Sequence, residues 1–227
     1  MTARLLTLIL LGLVSIGCAN KPTDATDEEL TRLDATKLLE QGKEQQEKGN
    51  YDLAIENYDK LQSRYPFSPQ AQNAQLETAY SYYKMGEPDA AVAATEDFLK
   101  TNPRHPRADY AYYLKGLVNQ DRYKSMLDKI MNRDIADLDP TAMETAFNDF
   151  KIMIRRYPDS EYVDDARQRM IYLRNALARH ELNVAGYYVK RGAWIAVANR
   201  CQFLLEKYDR SDSMPEALAL LARAYQE

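Results

Sequence analysis

The stretch GNYDLAIENYDKLQSRYP, Gly49 to Pro66, decides the fold. Within it Ala54, Tyr58, Leu61 and Tyr65 are spaced by four, three and four residues. That spacing lines one apolar stripe along a helix, and Pro66 stops the helix at once. The same spacing returns as Ala91, Thr95, Phe98 and Asn102 before Pro103, and as Ala146, Phe150, Met153 and Tyr157 before Pro158. A fourth copy is Val197, Cys201, Leu204 and Tyr208, with Asp209 in the proline position. No copy is long enough to bury its stripe alone, so the copies must stack into a helical repeat array.

Working outward, Gly49, Gly86 and Gly192 each stand 17 residues before a terminating position. A glycine there suits the tight turn between two antiparallel helices. Two residues further on come Tyr51, Pro88 and Trp194, with Met143 in the remaining unit, mostly bulky groups that suit a wedge between paired helices. Upstream stripes such as Ala71, Gln75, Thr78 and Tyr82 supply the first helix of a pair. Ser68-Pro69 places a capping hydroxyl before a proline at the first helical position. Ser213 with Glu216 fits a capping box.

These units resemble tetratricopeptide repeats, helix–turn–helix elements of about 34 residues. The resemblance implies an all-α fold, a tetratricopeptide-type α-solenoid of about five helix pairs with the last one incomplete. The stops at 66, 103, 158 and 209 are 37, 55 and 51 residues apart, so two units carry insertions. One is expected at Lys124–Asp139, and the other as a long helix from Val163 to Lys190 broken at Gly186. Leu218, Leu221, Ala222 and Tyr225 form a last stripe with no second helix to cover it, which suggests further chain or a partner there.

The amino terminus reads as a targeting segment. Arg4 precedes an apolar run from Leu5 to Ile16, too short to span a bilayer. It ends Ser15-Ile16-Gly17-Cys18, which resembles a bacterial lipoprotein signal; the alternative is an ordinary signal peptide with a chance cysteine. The lipoprotein reading makes residues 1–17 a cleaved signal, Cys18 a lipidated first residue, 18–35 a polar flexible tether, and 36–227 the repeat domain. Several lipid chains at about 0.8 kcal/mol per buried methylene anchor firmly. Ala19 is not the Asp of an inner-membrane retention signal, so the resemblance implies the outer membrane, on its periplasmic face.

The 227-residue chain carries a formal charge of −4, which argues against a nucleic-acid partner. Nothing points to catalysis, a metal or a cofactor other than the covalent lipid. His105 and His180 lack the company of a zinc site, and Asp134–Asp139 lacks the glycine and glutamate of a calcium loop. Cys201 lies on a buried stripe, and a disulfide to Cys18 would need the terminus to fold back.

An anchored array of this kind is a docking platform, and two surfaces are candidates. Arg64, Tyr65 and Phe67, with Tyr80, Tyr82 and Tyr83, suit a peptide ending in an aromatic group and a carboxylate. The other reading of those tyrosines, among 17 in the chain, is packing between repeats. Arg191, Trp194, Asn199 and Arg200 form the second candidate, with Arg200 at the stripe edge either pairing with a partner's carboxylate or simply exposed.

The strings YPFSP, NPRHP and YPDS, followed by RGAW and NR, make the whole chain from Cys18 resemble the BamD family. These are tetratricopeptide-repeat lipoproteins of the bacterial β-barrel assembly machine. The resemblance implies that the amino-terminal repeats receive the targeting signal of unfolded outer-membrane barrel precursors. It implies that the carboxy-terminal repeats dock the barrel subunit BamA, with Arg200 matching an arginine of that contact. Other Bam lipoproteins would bind at the terminal helices. On this reading Arg200→Glu breaks the BamA contact and leaves the fold intact, while Phe67→Ala and Tyr83→Ala weaken peptide binding. The alternative is a periplasmic scaffold of the YbgF type, serving cell-wall synthesis or constriction.

Overall fold

The computed structural model describes residues 27–122 and 134–227. Cys18, the signal segment and most of the expected insertion lie outside those residues. Nine α-helices occur among the described residues: α1 Asp27–Glu47, α2 Tyr51–Arg64, α3 Pro69–Met85, α4 Pro88–Thr101, α5 Ala108–Asp121, α6 Pro140–Arg156, α7 Val163–Val189, α8 Trp194–Lys207 and α9 Met214–Ala224. A short 3₁₀ turn, Ile135–Asp137, precedes α6. Each helix packs on the next, and α3 also touches α1 and α5. The pairs are α1/α2, α3/α4, α5/α6 and α7/α8, with α9 opening a fifth. The array is all-α, as the stripes require.

The four stripes lie on α2, α4, α6 and α8, the second helix of each pair. Ala54, Tyr58, Leu61, Ala91, Phe98, Ala146, Phe150, Met153, Val197 and Leu204 are all fully buried. Each of these helices ends alike: Tyr65, Asn102, Tyr157 and Tyr208 leave helical geometry while their N–H groups still donate to Leu61, Phe98, Met153 and Leu204 carbonyls. The turn glycines Gly49, Gly86 and Gly192 have φ of 78°, 78° and 67°, a left-handed conformation in which a Cβ is strained.

Packing within a pair is a matched exchange of volume. A Cβ on Gly42 of α1 would stand 2.2 Å from the Tyr58 ring, and one on Gly116 of α5 would stand 2.5 Å from Phe150. The other two pairs carry alanine in the first helix, Ala79 and Ala185, and a small residue at the ring's stripe position, Thr95 and Cys201. A ring is matched by glycine in two pairs, and a smaller stripe residue is matched by alanine in the other two. Tyr58 also hands its hydroxyl to Gln46, which accepts from Ser81 and donates to Glu77, and Glu77 is held by Arg107 at 2.6 Å. That chain of polar contacts ties the first three pairs together.

Three expectations need correcting. α1 starts at Asp27, inside the stretch read as tether, because Ala35 and Leu38 bury against α2 and Asp34 accepts a 2.6 Å hydrogen bond from the Tyr65 hydroxyl. Gly186 does not break α7, which runs unbroken for 27 residues; one helical glycine costs only about 1 kcal/mol. Ser213 makes no capping bond. Ser68 does, accepting from the Ala71 N–H at 3.0 Å. Of the expected insertion, only 134–139 is described. There His180 bonds the Ala136 carbonyl at 2.8 Å and Asn183 donates to Asp137, fixing the turn on α7.

Candidate partner-docking surfaces

The carboxy-terminal candidates sit where the long α7 lies beside α8. Ala178, Glu181 and Ala185 follow helical spacing and turn into the interface with α8, so Glu181 is buried with its alanine neighbours. Arg200 is one position from the buried Cys201, which places its stem at the edge of that interface. Its guanidinium reaches across, and Nη1 donates to Glu181 Oε2 at 3.0 Å. The Glu181 side chain is 9% exposed and that of Arg200 is 43% exposed. Among the described residues Arg200 donates to no other acceptor, and its remaining N–H groups are free to bond.

Ala196, Asn199, Arg200 and Phe203 of α8, with Tyr188 of α7, line an open cleft of about 360 Å³. Apolar walls beside amide and guanidinium donors suit an apolar side chain next to a carboxylate. Ile195, one turn before Asn199, is 82% exposed. Arg191 stacks 4.3 Å over Tyr187, and Tyr187 meets Tyr188 edge to face at 5.7 Å, so Arg191 joins the cleft through two rings. Trp194 does not face the cleft. It packs toward α9, with the Arg223 guanidinium 5.1 Å over its ring.

The structure thus gathers Asn199 and Arg200, links Arg191 to them, and separates Trp194. Arg200 is half-exposed and paired within the chain, an arrangement the sequence reading of a partner's carboxylate or plain exposure did not include. The expectation that Arg200→Glu leaves the fold intact is at odds with this geometry, because that change sets a second carboxylate beside the buried Glu181. Tyr188, Ile195, Phe203 and Glu181 were not singled out by sequence.

The amino-terminal candidates fall into two places. Phe67, in the turn after α2, is 94% exposed. Arg64 is also exposed, with only a loose 3.9 Å pair to Asp34. Tyr65 is engaged by Asp34 and by the core of the first pair. Tyr80, Tyr82 and Tyr83 pack half-buried on the α3–α5 core, and Tyr83 donates to Asp121 at 2.7 Å. Burial, then that carboxylate, pushes the Tyr83 hydroxyl far up and keeps it a donor. Tyr80 and Tyr83 lie roughly 16 to 21 Å along α3 from its start beside Phe67. An extended segment of about six residues spans that distance.

Among the described residues, Cys201 and His105 are both held toward their uncharged forms. Burial pushes the Cys201 thiol up, away from the thiolate. Burial, then the neighbouring Arg107, pushes His105 down, and its ring packs on Phe98. Among the described residues, no three His, Cys, Asp or Glu side chains converge to hold a metal. Among them too, no helix is long and apolar enough to cross a membrane.

Comparison with known proteins accounts for this array. The YfiO family pattern, described as an outer membrane lipoprotein, matches residues 31–227. The outer membrane protein assembly factor BamD of Neisseria meningitidis serogroup A is 40% identical over 225 residues, covering 99% of this chain and 84% of the relative. BamD of Vibrio cholerae serotype O1 is 34% identical over 211 residues, 93% of this chain and 86% of the relative. BamD of Xylella fastidiosa is 42% identical over 178 residues, 78% of this chain and 61% of the relative. With matches of that extent laid over four stacked helix pairs and a fifth begun, the chain belongs to the BamD family of outer-membrane protein assembly factors.

Proposed function

We propose that this chain is a non-catalytic docking subunit of the outer-membrane β-barrel assembly machine, held by lipid on Cys18 at the periplasmic face of the outer membrane. Its carboxy-terminal repeats dock BamA through the cleft of Asn199, Arg200, Tyr188 and Phe203, with Arg191 at its margin and Trp194 bracing α9 behind it. Its amino-terminal repeats receive unfolded barrel precursors, Phe67 and Arg64 engaging an aromatic group and a carboxylate while Tyr80 and Tyr83 border the path beyond. Other Bam lipoproteins bind toward the terminal helices.

The observation that carries the reading is the Arg200 cleft. A half-exposed guanidinium with unused donors, in a cleft also lined by Tyr188 and Phe203, has the composition of an interface centre rather than of a plain solvated face. A photo-crosslinker at Asn199 tests it in intact cells. Asn199 is exposed and lines the cleft without holding another residue, so the probe leaves Arg200 in place. Capture of BamA is the expected result. Capture of a cell-wall synthase instead replaces this reading with the YbgF-type scaffold.

A further inference from the structure

Glu181 presents a problem that its neighbours do not. It is a carboxylate more than nine-tenths buried, set between Ala178 and Ala185 on the face of α7 that meets α8. Its hydrogen bond and its ion pair are to one group, the guanidinium of Arg200. Burying a carboxylate is costly, and an apolar residue would pack there more cheaply. The fold has no evident need of it. The polar chain through Glu77 ties three helix pairs together, whereas the Glu181–Arg200 contact only joins α7 to the adjacent α8, which are already packed through Ala185, Val197 and Cys201.

The pair does fix one thing, the position of Arg200. An arginine carries several rotatable bonds, and ordering such a side chain when a complex forms costs about 0.5–1.5 kcal/mol. Here a single donor, Nη1, is spent on Glu181, and Arg200 lines the cleft with its other donors unspent on the described residues. The guanidinium is therefore ordered before any partner arrives. We propose that Glu181 is a positioning residue, which holds Arg200 at the mouth of the cleft so that its remaining donors meet a carboxylate on the docking partner. This rests on the docking reading above, and it separates from that reading in the test.

The substitution is Glu181→Gln, which keeps shape and an acceptor oxygen and removes the charge. The first readout needs no partner: ¹⁵N relaxation of the Arg200 Nε–H in the free chain. Its order should fall in Glu181→Gln toward that of the exposed Arg167; unchanged order overturns the proposal. The second is affinity for the periplasmic domains of BamA, measured for wild type, Glu181→Gln, Arg200→Gln and the double variant. Glu181→Gln should weaken binding about three- to tenfold, with no further loss once Arg200 is Gln. Binding equal to or tighter than wild type overturns the proposal, the tighter case meaning that Glu181 competes with the partner. If Arg200→Gln binds as wild type does, the docking reading fails and Glu181 has no role in it, whatever the relaxation shows.

Discussion

At the scale of the residue, the two candidate surfaces respond differently to substitution. Arg200→Glu faces a buried carboxylate with a second one, where the native pair had cancelled charge. Breaking a buried pair costs about 3–5 kcal/mol, and the partial exposure of Arg200 reduces this to about 2–3 kcal/mol. Urea unfolding of the variant should show that loss, and a midpoint equal to wild type would mean Glu181 does not depend on Arg200. Docking lost in Arg200→Glu therefore has two causes, so Arg200→Gln is the cleaner probe of the interface. Phe67 is the opposite case. At 94% exposure its ring supports nothing, and Phe67→Ala should change stability by no more than about 0.5 kcal/mol. A labelled peptide ending in the aromatic–carboxylate signal should nevertheless bind that variant more weakly in a fluorescence titration. Tyr83→Phe removes only the bond to Asp121 and so tests the other half of the region without a cavity. Some of this was legible in sequence. Phe67 follows a helix stop and Ile195 falls off the 197–201–204 stripe, and both are exposed for that reason. Glu181 was not legible, since no local pattern says which charged residue of a long helix meets the neighbouring helix.

At the scale of the element, helix pairs are specified by complementary volume as well as by stripe spacing. Gly116 and Phe150 belong to α5 and α6, and the ring occupies the space where a Cβ would stand. Gly116→Ala gains the helix propensity of alanine, about 1 kcal/mol. It also drives a methyl into a fully buried ring, and overpacking of that kind costs about 1–3 kcal/mol. The clash should win, with a net lowering of the melting temperature. The α7/α8 pair suggests the rescue, because Ala185 there faces Cys201 rather than a ring. Gly116→Ala combined with Phe150→Cys should be less destabilised than the two single losses together; strict additivity would show that the two sites do not share space. Helix stops, turn glycines and buried stripes follow from single residues and short spacings, and these the sequence displays openly. The start of α1 does not, because residues 27–34 show no stripe in the sequence, and the contact that holds Asp34 comes from the distant Tyr65 hydroxyl. Nor does the continuity of α7 through Gly186, where packing on both sides outweighs one unfavourable residue.

At the scale of the whole molecule, contacts run from each helix to its neighbours and little further. α1 meets α2 and α3, α3 reaches α5, and α7 meets α6, α8 and the turn at 135–137. At the amino-terminal end Gln46, Tyr58, Glu77, Ser81 and Arg107 form one polar network that links pairs. Stability in such an array is close to a sum of unit and nearest-neighbour contributions, so damage should stay near its origin. Gly42→Ala offers the sharpest test, since its Cβ would stand 2.2 Å from Tyr58, the ring that anchors that network. Native-state hydrogen exchange should show faster amide exchange through α1, α2 and α3, with a smaller effect at α5 through Arg107. Amides of α8 and the carboxy-terminal half of α7 should keep wild-type protection, and BamA affinity should be unchanged. On the docking reading proposed above, that outcome would make the two ends separable in energy as well as in space, so that one could engage a disordered precursor while the other stayed rigidly attached. Equal loss of protection in all helices would instead mean that the array unfolds as one unit and that binding at either end is felt at the other.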